Sequence, residues 1–174
     1  MQTTLVITVL GPDKPGLVKS LSKTLNQFQG SWTESRMAHL AGKFAGILQV
    51  SLPVDQIDAL TTALNELQSD SLKIQIEKTV EDTVVKPDKI LTLGLLGQDR
   101  PGIIHDITQQ LGTLNVNIEE LESHIKEASM SGEILFSAEL KLGLPQGVST
   151  EAVQDILEDM SDQFMIDVMF SSAR

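Results

Sequence analysis

Apolar and polar positions along the chain change period in a fixed order, and that order runs through twice. Thr4 to Leu10 is short, rich in β-branched residues and ended by Gly11-Pro12, which predicts a strand. Leu17, Leu21, Leu25 and Phe28 then recur at helical spacing with Lys19, Lys23, Asn26 and Gln27 between them, and Gly30 closes the pattern. Ser31 to Leu40 and Lys43 to Leu52 flank Ala41-Gly42. The second of these runs alternates Phe44, Gly46, Leu48, Val50 and Leu52 on one face, which predicts a hairpin ended by Pro53. Ile57, Leu60, Leu64 and Leu67 mark a second helix, with Asp55 near its positive end, and Leu72, Ile74 and Ile76 alternate as a last strand.

The order βαββαβ predicts an α+β fold of the ferredoxin-like, split-βαβ kind: an antiparallel four-stranded sheet with both helices on one face. Eighty-six positions on (97 minus 11), Gly97-Gln98-Asp99-Arg100-Pro101-Gly102-Ile103-Ile104 repeats Gly11-Pro12-Asp13-Lys14-Pro15-Gly16-Leu17-Val18. An internal repeat fixes how often the fold unit occurs. Two tandem domains are therefore expected, 1–78 and 90–170, with 79–89 as a charged, Pro87-containing linker. In the second half Ile90 to Leu96 is the first strand, Ile103, Ile107, Leu111 and Leu114 the helix, and Val116 to Ile125 with Glu133 to Leu142 the hairpin. At the same offset Ile134 and Phe136 answer Leu48 and Val50, and the register is expected to break afterwards, in Gly143 to Val148. Ser149 or Thr150 caps a helix through Val153, Ile156, Leu157 and Met160, and Phe164, Ile166, Val168 and Phe170 suggest the last strand.

Charge narrows the partners. The chain of 174 residues carries 13 basic and 24 acidic side chains, a formal charge of −11, which repels a phosphate backbone and argues against direct nucleic-acid binding. Residues 1–86 hold 8 basic and 9 acidic residues, whereas 87–174 hold 5 and 15. The second half thus presents an acidic, solvated face or a docking surface for a basic partner. Cysteine is absent, which removes disulfides, thiolate metal sites and a cysteine nucleophile. The start, Met1-Gln2-Thr3-Thr4, has no basic segment ahead of its apolar run, and no run is long enough to span a bilayer, so a cytoplasmic, membrane-free protein is expected.

No set of side chains reads as catalytic. His39, His105 and His124 are solitary in sequence and read as surface or packed imidazoles; His105 stands out only for its place beside the repeated loop. Glu120 and Glu122 point to one side of a strand, as an ordinary wet edge would have them or as a pair for a cation. No metal or cofactor site is expected, and the loop lacks the glycine and Lys-Ser/Thr pattern of a phosphate loop. In the loop itself Pro15 and Pro101 suit a first helical turn, with Asp13 and Asp99 before it as caps. Gly16 and Gly102 are read as lying inside that turn, where a glycine costs roughly 1 kcal/mol relative to alanine. Close approach of a ligand would account for them. The N–H groups of Gly16 and Leu17 at the positive helix end suit a carboxylate, and Asp13 can accept from an ammonium group; a small amino acid carries both.

The Asp-Lys/Arg-Pro-Gly loop between first strand and helix, the Asn117-Ile118 opening of the second hairpin and the doubled βαββαβ order resemble the ACT domain, a regulatory module that binds amino acids. Gly11 to Gly16 together with Glu34-Ser35-Arg36-Met37-Ala38 and Gly42-Lys43-Phe44 looks like the glycine cleavage system transcriptional repressor family, tandem ACT domains without a DNA-binding domain. The resemblance implies a non-catalytic regulator that senses a small amino acid, glycine first, and represses glycine cleavage genes by contacting their DNA-bound activator. It also implies a ligand between the loop of one domain and the second strand of a neighbour. The implied site residues are Asp13, Pro15, Gly16 and Leu17, or Asp99, Pro101, Gly102 and Ile103, facing the region of Trp32 or Asn117 and Ile118. Trp32 stands where the second copy has Ile118, which narrows the first site and favours the second as the more open one. Two other readings stand beside this one. An acylphosphatase-like enzyme would have its phosphate substrate repelled by Asp13 or Asp99, and a folate-dependent deformylase that begins with such a module needs a large catalytic domain that these residues do not include. An ACT-type scaffold or regulatory subunit without its own ligand would use the loops only as caps. Homodimerisation through edge strands or helices fits either binding reading.

Overall fold

Leu5, Ile7 and Val9 alternate with exposed or half-buried neighbours along the first strand, β1 (Gln2–Pro12), and set the face on which the first core is built. The helix α1 (Leu17–Gln27) lays Leu21 and Leu25 on that face. β2 (Ser31–Leu40) and β3 (Lys43–Pro53) form the hairpin, and β3 adds Leu48, Val50 and Leu52. A short 3-10 turn, Val54–Gln56, leads into α2 (Ile57–Glu66), which adds Ile57, Leu60 and Leu64, and β4 (Lys73–Lys78) closes the unit with Ile74. The strands pair antiparallel in the order β2-β3-β1-β4.

The second unit repeats the plan with β5 (Lys89–Gln98), α3 (Ile103–Thr113), β6 (Asn117–Glu127), β7 (Ile134–Leu144), α4 (Thr150–Phe164) and β8 (Ile166–Ser172), in the sheet order β6-β7-β5-β8. Its core gathers Leu91, Leu93 and Leu95 with Ile103, Ile107 and Leu111, Leu140 and Leu142, and Val153, Leu157 and Met160. Two antiparallel sheets, each with its helices packed on one face, make the expected α+β, tandem ferredoxin-like architecture. This computed structural model describes residues 1–79, 86–128 and 132–172. The chain divides into two compact units, Met1–Thr83 and Val84–Arg174, and most of the expected linker, 80–85, lies outside the described residues.

Three details depart from the sequence pattern. Leu48 and Val50 pair with Ile7 and Leu5, while Leu140 and Leu142 pair with Leu93 and Leu91. The offset between equivalent residues of the two hairpins is thus 92 (140 minus 48), so Leu140 and Leu142, not Ile134 and Phe136, answer Leu48 and Val50. The register therefore first breaks not in Gly143 to Val148 but earlier, at the hairpin turn between Glu127 and Ile134, where the extra residues enter and of which 129–131 lie outside the described residues. Alternation continues unbroken across such an insertion because an even slip of six keeps every side chain on its own face. Finally, Phe164 ends α4 rather than opening a strand: Met165 takes a left-handed conformation with φ 53° and stops the helix, and β8 starts at Ile166. At the other end of α4, Ser149 is the cap, its Oγ accepting from the N–H of Ala152 at 3.1 Å.

Candidate ligand cleft

The two loops share one backbone solution. Gly16 has φ 96° and Gly102 φ 92°, and each is the residue before the helix rather than a member of its first turn. This left-handed conformation is open to glycine and costly for other residues. A Cβ at Gly16 would meet nothing within 4 Å, and one at Gly102 would meet only Nη1 of Arg100, at 4.0 Å. Backbone conformation, not the approach of a ligand, therefore accounts for both glycines. Neither helix has a side-chain cap, so Asp13 and Asp99 do not cap. Their backbone N–H groups instead donate to Gly42 O at 3.1 Å and Ile134 O at 3.0 Å, tying each loop to its hairpin. Pro15 and Pro101 stand in the turn ahead of the helix.

The first helical bonds run from Ser20 N to Gly16 O at 2.8 Å and from Asp106 N to Gly102 O at 2.9 Å. Ahead of them the N–H groups of Ile103, Ile104 and His105 stand at the positive end of α3 without a partner in the helical ladder. They border an open cleft of about 570 Å³, which Asp99, Arg100 and Gly102 enclose on one side and Ser123, His124, Ile125 and Phe136 on the other. Asp106 holds Arg100 over this first turn through an ion pair of 2.8 Å between Oδ2 and Nη2, with the Arg100 side chain 34% and the Asp106 side chain 27% exposed. Nη1 of Arg100 also donates to Pro101 O at 3.3 Å.

His105 and His124, solitary in sequence, line the same cleft. Among the described residues no group of three or more His, Cys, Asp or Glu side chains is placed to hold a metal ion. Ser123 and His124 are consecutive in a strand and so address opposite faces of the sheet, which makes them a poor nucleophile and base. The chemistry on offer is binding. N–H groups and a guanidinium suit a carboxylate, the Asp99 carboxylate suits an ammonium group, and Ile103, Ile125 and Phe136 supply apolar wall.

Asn117 and Ile118 are not brought to this cleft within their own unit. They pair with Gly143 and Leu142 at the far end of β6, and at a rise of roughly 3.3 Å per residue Ser123 is about 20 Å further along. The Asn117 amide donates to Glu119 Oε1 at 2.9 Å, and Ile118 packs against the core. Trp32 sits opposite Val50 and likewise packs against the first core. Glu120 is paired with Lys141 at 2.8 Å, and Glu122 faces Glu139 across the ladder. His39, opposite Phe44, is exposed. Sequence reading missed Ser123, Ile125 and Phe136 as cleft residues. The available signal was a contrast between copies, Met37 against Ser123 at the offset of 86 (123 minus 37).

Residues 3–78 match the family model of the ACT domain, a match that spans the whole sheet and both helices of the first unit. The first unit is an ACT domain. The second repeats its strand order, its pairing and its glycine-started helix, so the fold is a tandem of ACT-type domains. A crystal structure described as that of an unknown protein from Galdieria sulphuraria is 27% identical over 100% of both chains, with a TM-score of 0.88. A second solved structure, described as that of a candidate glycine cleavage system transcriptional repressor, is 16% identical, covers 100% of this chain and 99% of its own, and has a TM-score of 0.74. No curated protein sequence matches the chain. Among the described residues no helix of the tandem ACT fold is long and apolar enough to cross a membrane.

Proposed function

We propose that this tandem ACT protein is a non-catalytic cytoplasmic regulator that binds a small amino acid in the cleft of its second unit and acts through a protein partner. The observation that carries the reading is the convergence, at one cleft, of helix-start N–H groups, Arg100 and Asp99 with an apolar wall. That set matches the two charges and the carbon skeleton of an amino acid. Glycine as ligand, and repression of glycine cleavage genes through their DNA-bound activator, follow the resemblance noted above; the fold likeness to the candidate repressor supports the same reading. In it Asp99, Pro101, Gly102 and Ile103 form the occupied loop, Asp13, Pro15, Gly16 and Leu17 are its counterpart, and Asn117 and Ile118 join only when a second copy in a homodimer supplies them. Calorimetric titration of glycine and larger amino acids, with pull-down of transcription factors in the presence and absence of the binder, tests it. Saturable binding and a ligand-sensitive partner are expected; no heat and no partner would overturn it.

One observation favours a second reading, a ligand-free ACT scaffold. Because φ alone explains Gly16 and Gly102, those glycines do not require a ligand. The scaffold predicts partner capture that no amino acid changes.

A further inference from the structure

Among the facing positions beside the loops, one pair differs between the two units in where its bulk lies. In the first, Met37 of β2 lies opposite Gly46 of β3; in the second, Ser123 of β6 lies opposite Ala138 of β7. A Cβ on Gly46 would meet Met37 Cγ at 2.9 Å and Cε at 3.4 Å, so the methionine lies across the space its glycine partner leaves vacant. Met37 is half-buried and packs against the first core. Ser123 is exposed and lines the cleft, while Ala138 is buried in the second core. Bulk has therefore moved from the edge strand to its neighbour: the edge-strand side chain is two heavy atoms shorter where β6 meets the start of α3, and its partner is one larger. Both edge strands carry their bulge at the same place, Trp32/Glu34 and Ile118/Glu120, so the two positions are equivalent in register.

We infer that Ser123 is the residue that opens the ligand cleft, and that the chain carries one amino-acid site, at Asp99 to Ile103, because Met37 closes the counterpart at Asp13 to Leu17. This rests on the amino-acid reading of the cleft. A second contrast bears on how tightly each loop holds a carboxylate rather than on access to it: Arg100 is held at the helix start by Asp106, whereas the first loop has Lys14 and Ser20 at the matching positions. A lysine is a mobile point charge, while a tethered guanidinium is set in place for a carboxylate.

The test is a side-chain swap read by calorimetry with glycine and L-leucine as probes. The wild type is expected to bind with one site per chain. S123M/A138G, which transplants the first unit's pair, should weaken binding at least tenfold while circular dichroism shows the fold retained. M37S/G46A should raise the stoichiometry to two, and as a gain of function it stays decisive even where the first variant fails to fold. Undiminished binding by a folded S123M/A138G, two sites in the wild type, or a stoichiometry unmoved by M37S/G46A would overturn the assignment of Ser123 while leaving the amino-acid reading standing. A wild type that binds neither probe nor any other amino acid would overturn both.

Discussion

Gly16 and Gly102 show how one residue serves fold before function. With φ near 96° and 92° they turn the chain from sheet to helix, and the space around them is open. Replacing either by alanine should cost about 1–2 kcal/mol in urea unfolding, because the penalty is conformational and nothing clashes. A loss at Gly102 much larger than at Gly16 would contradict this. For the same reason Gly102→Ala does not separate a sensor from a scaffold through stability; binding itself must be read. Asp106→Ala removes the partner of Arg100 Nη2, and since both groups are about a third exposed, stability should fall by less than about 1 kcal/mol. Affinity for a carboxylate-bearing ligand should fall severalfold in the same variant, as the guanidinium loses its ion pair at the helix start. At this scale the sequence showed which residues repeat but not their torsion angles. Asp13 reads as a cap because cap residues and loop-tying residues have the same chemistry; only geometry separates a side chain that accepts from the helix from a backbone N–H that donates to the hairpin.

Among the elements, strands and helices were legible because alternation and helical spacing each bury one face. Strand ends were less so, since β1 goes on pairing to Pro12 after its apolar run has stopped at Leu10. The hairpin offset was hidden by the even slip described above, and it carries a sharp prediction. Leu140→Ala, in the second core, should cost about 2–5 kcal/mol in chemical denaturation. Ile134→Ser, at a position 53% exposed, should stay within about 0.5 kcal/mol of wild type. Equal losses would restore the equivalence of Ile134 with Leu48. The cleft lies at the same scale. It arises where an edge strand passes the start of a helix, so it depends on tertiary placement that periodicity does not encode. Its loop half, Asp99 to Ile103, was read from the repeat, whereas its strand half, Ser123 to Ile125, was not; the sequence pointed to the other end of that strand, Asn117-Ile118.

For the whole molecule, each ACT-type unit has its own buried cluster, built on Leu5, Ile7 and Leu60 in the first and on Leu93, Ile107 and Leu157 in the second. Net charge of −11 favours readout through protein over readout through nucleic acid. Electrophoresis with duplex DNA at low salt, the condition most favourable to charge-driven binding, should show no retardation; a shift that weakens steeply with added salt would contradict the charge argument. The proposed amino-acid site lies at the start of α3. Backbone amide NMR during titration with glycine, and then with L-leucine, reads that place directly. The expected result is saturable shift changes at the N–H groups of Ile103, Ile104 and His105, with smaller ones at Ser123 to Ile125. Unmoved amides at all of these positions, at concentrations where calorimetry detects binding, would contradict it.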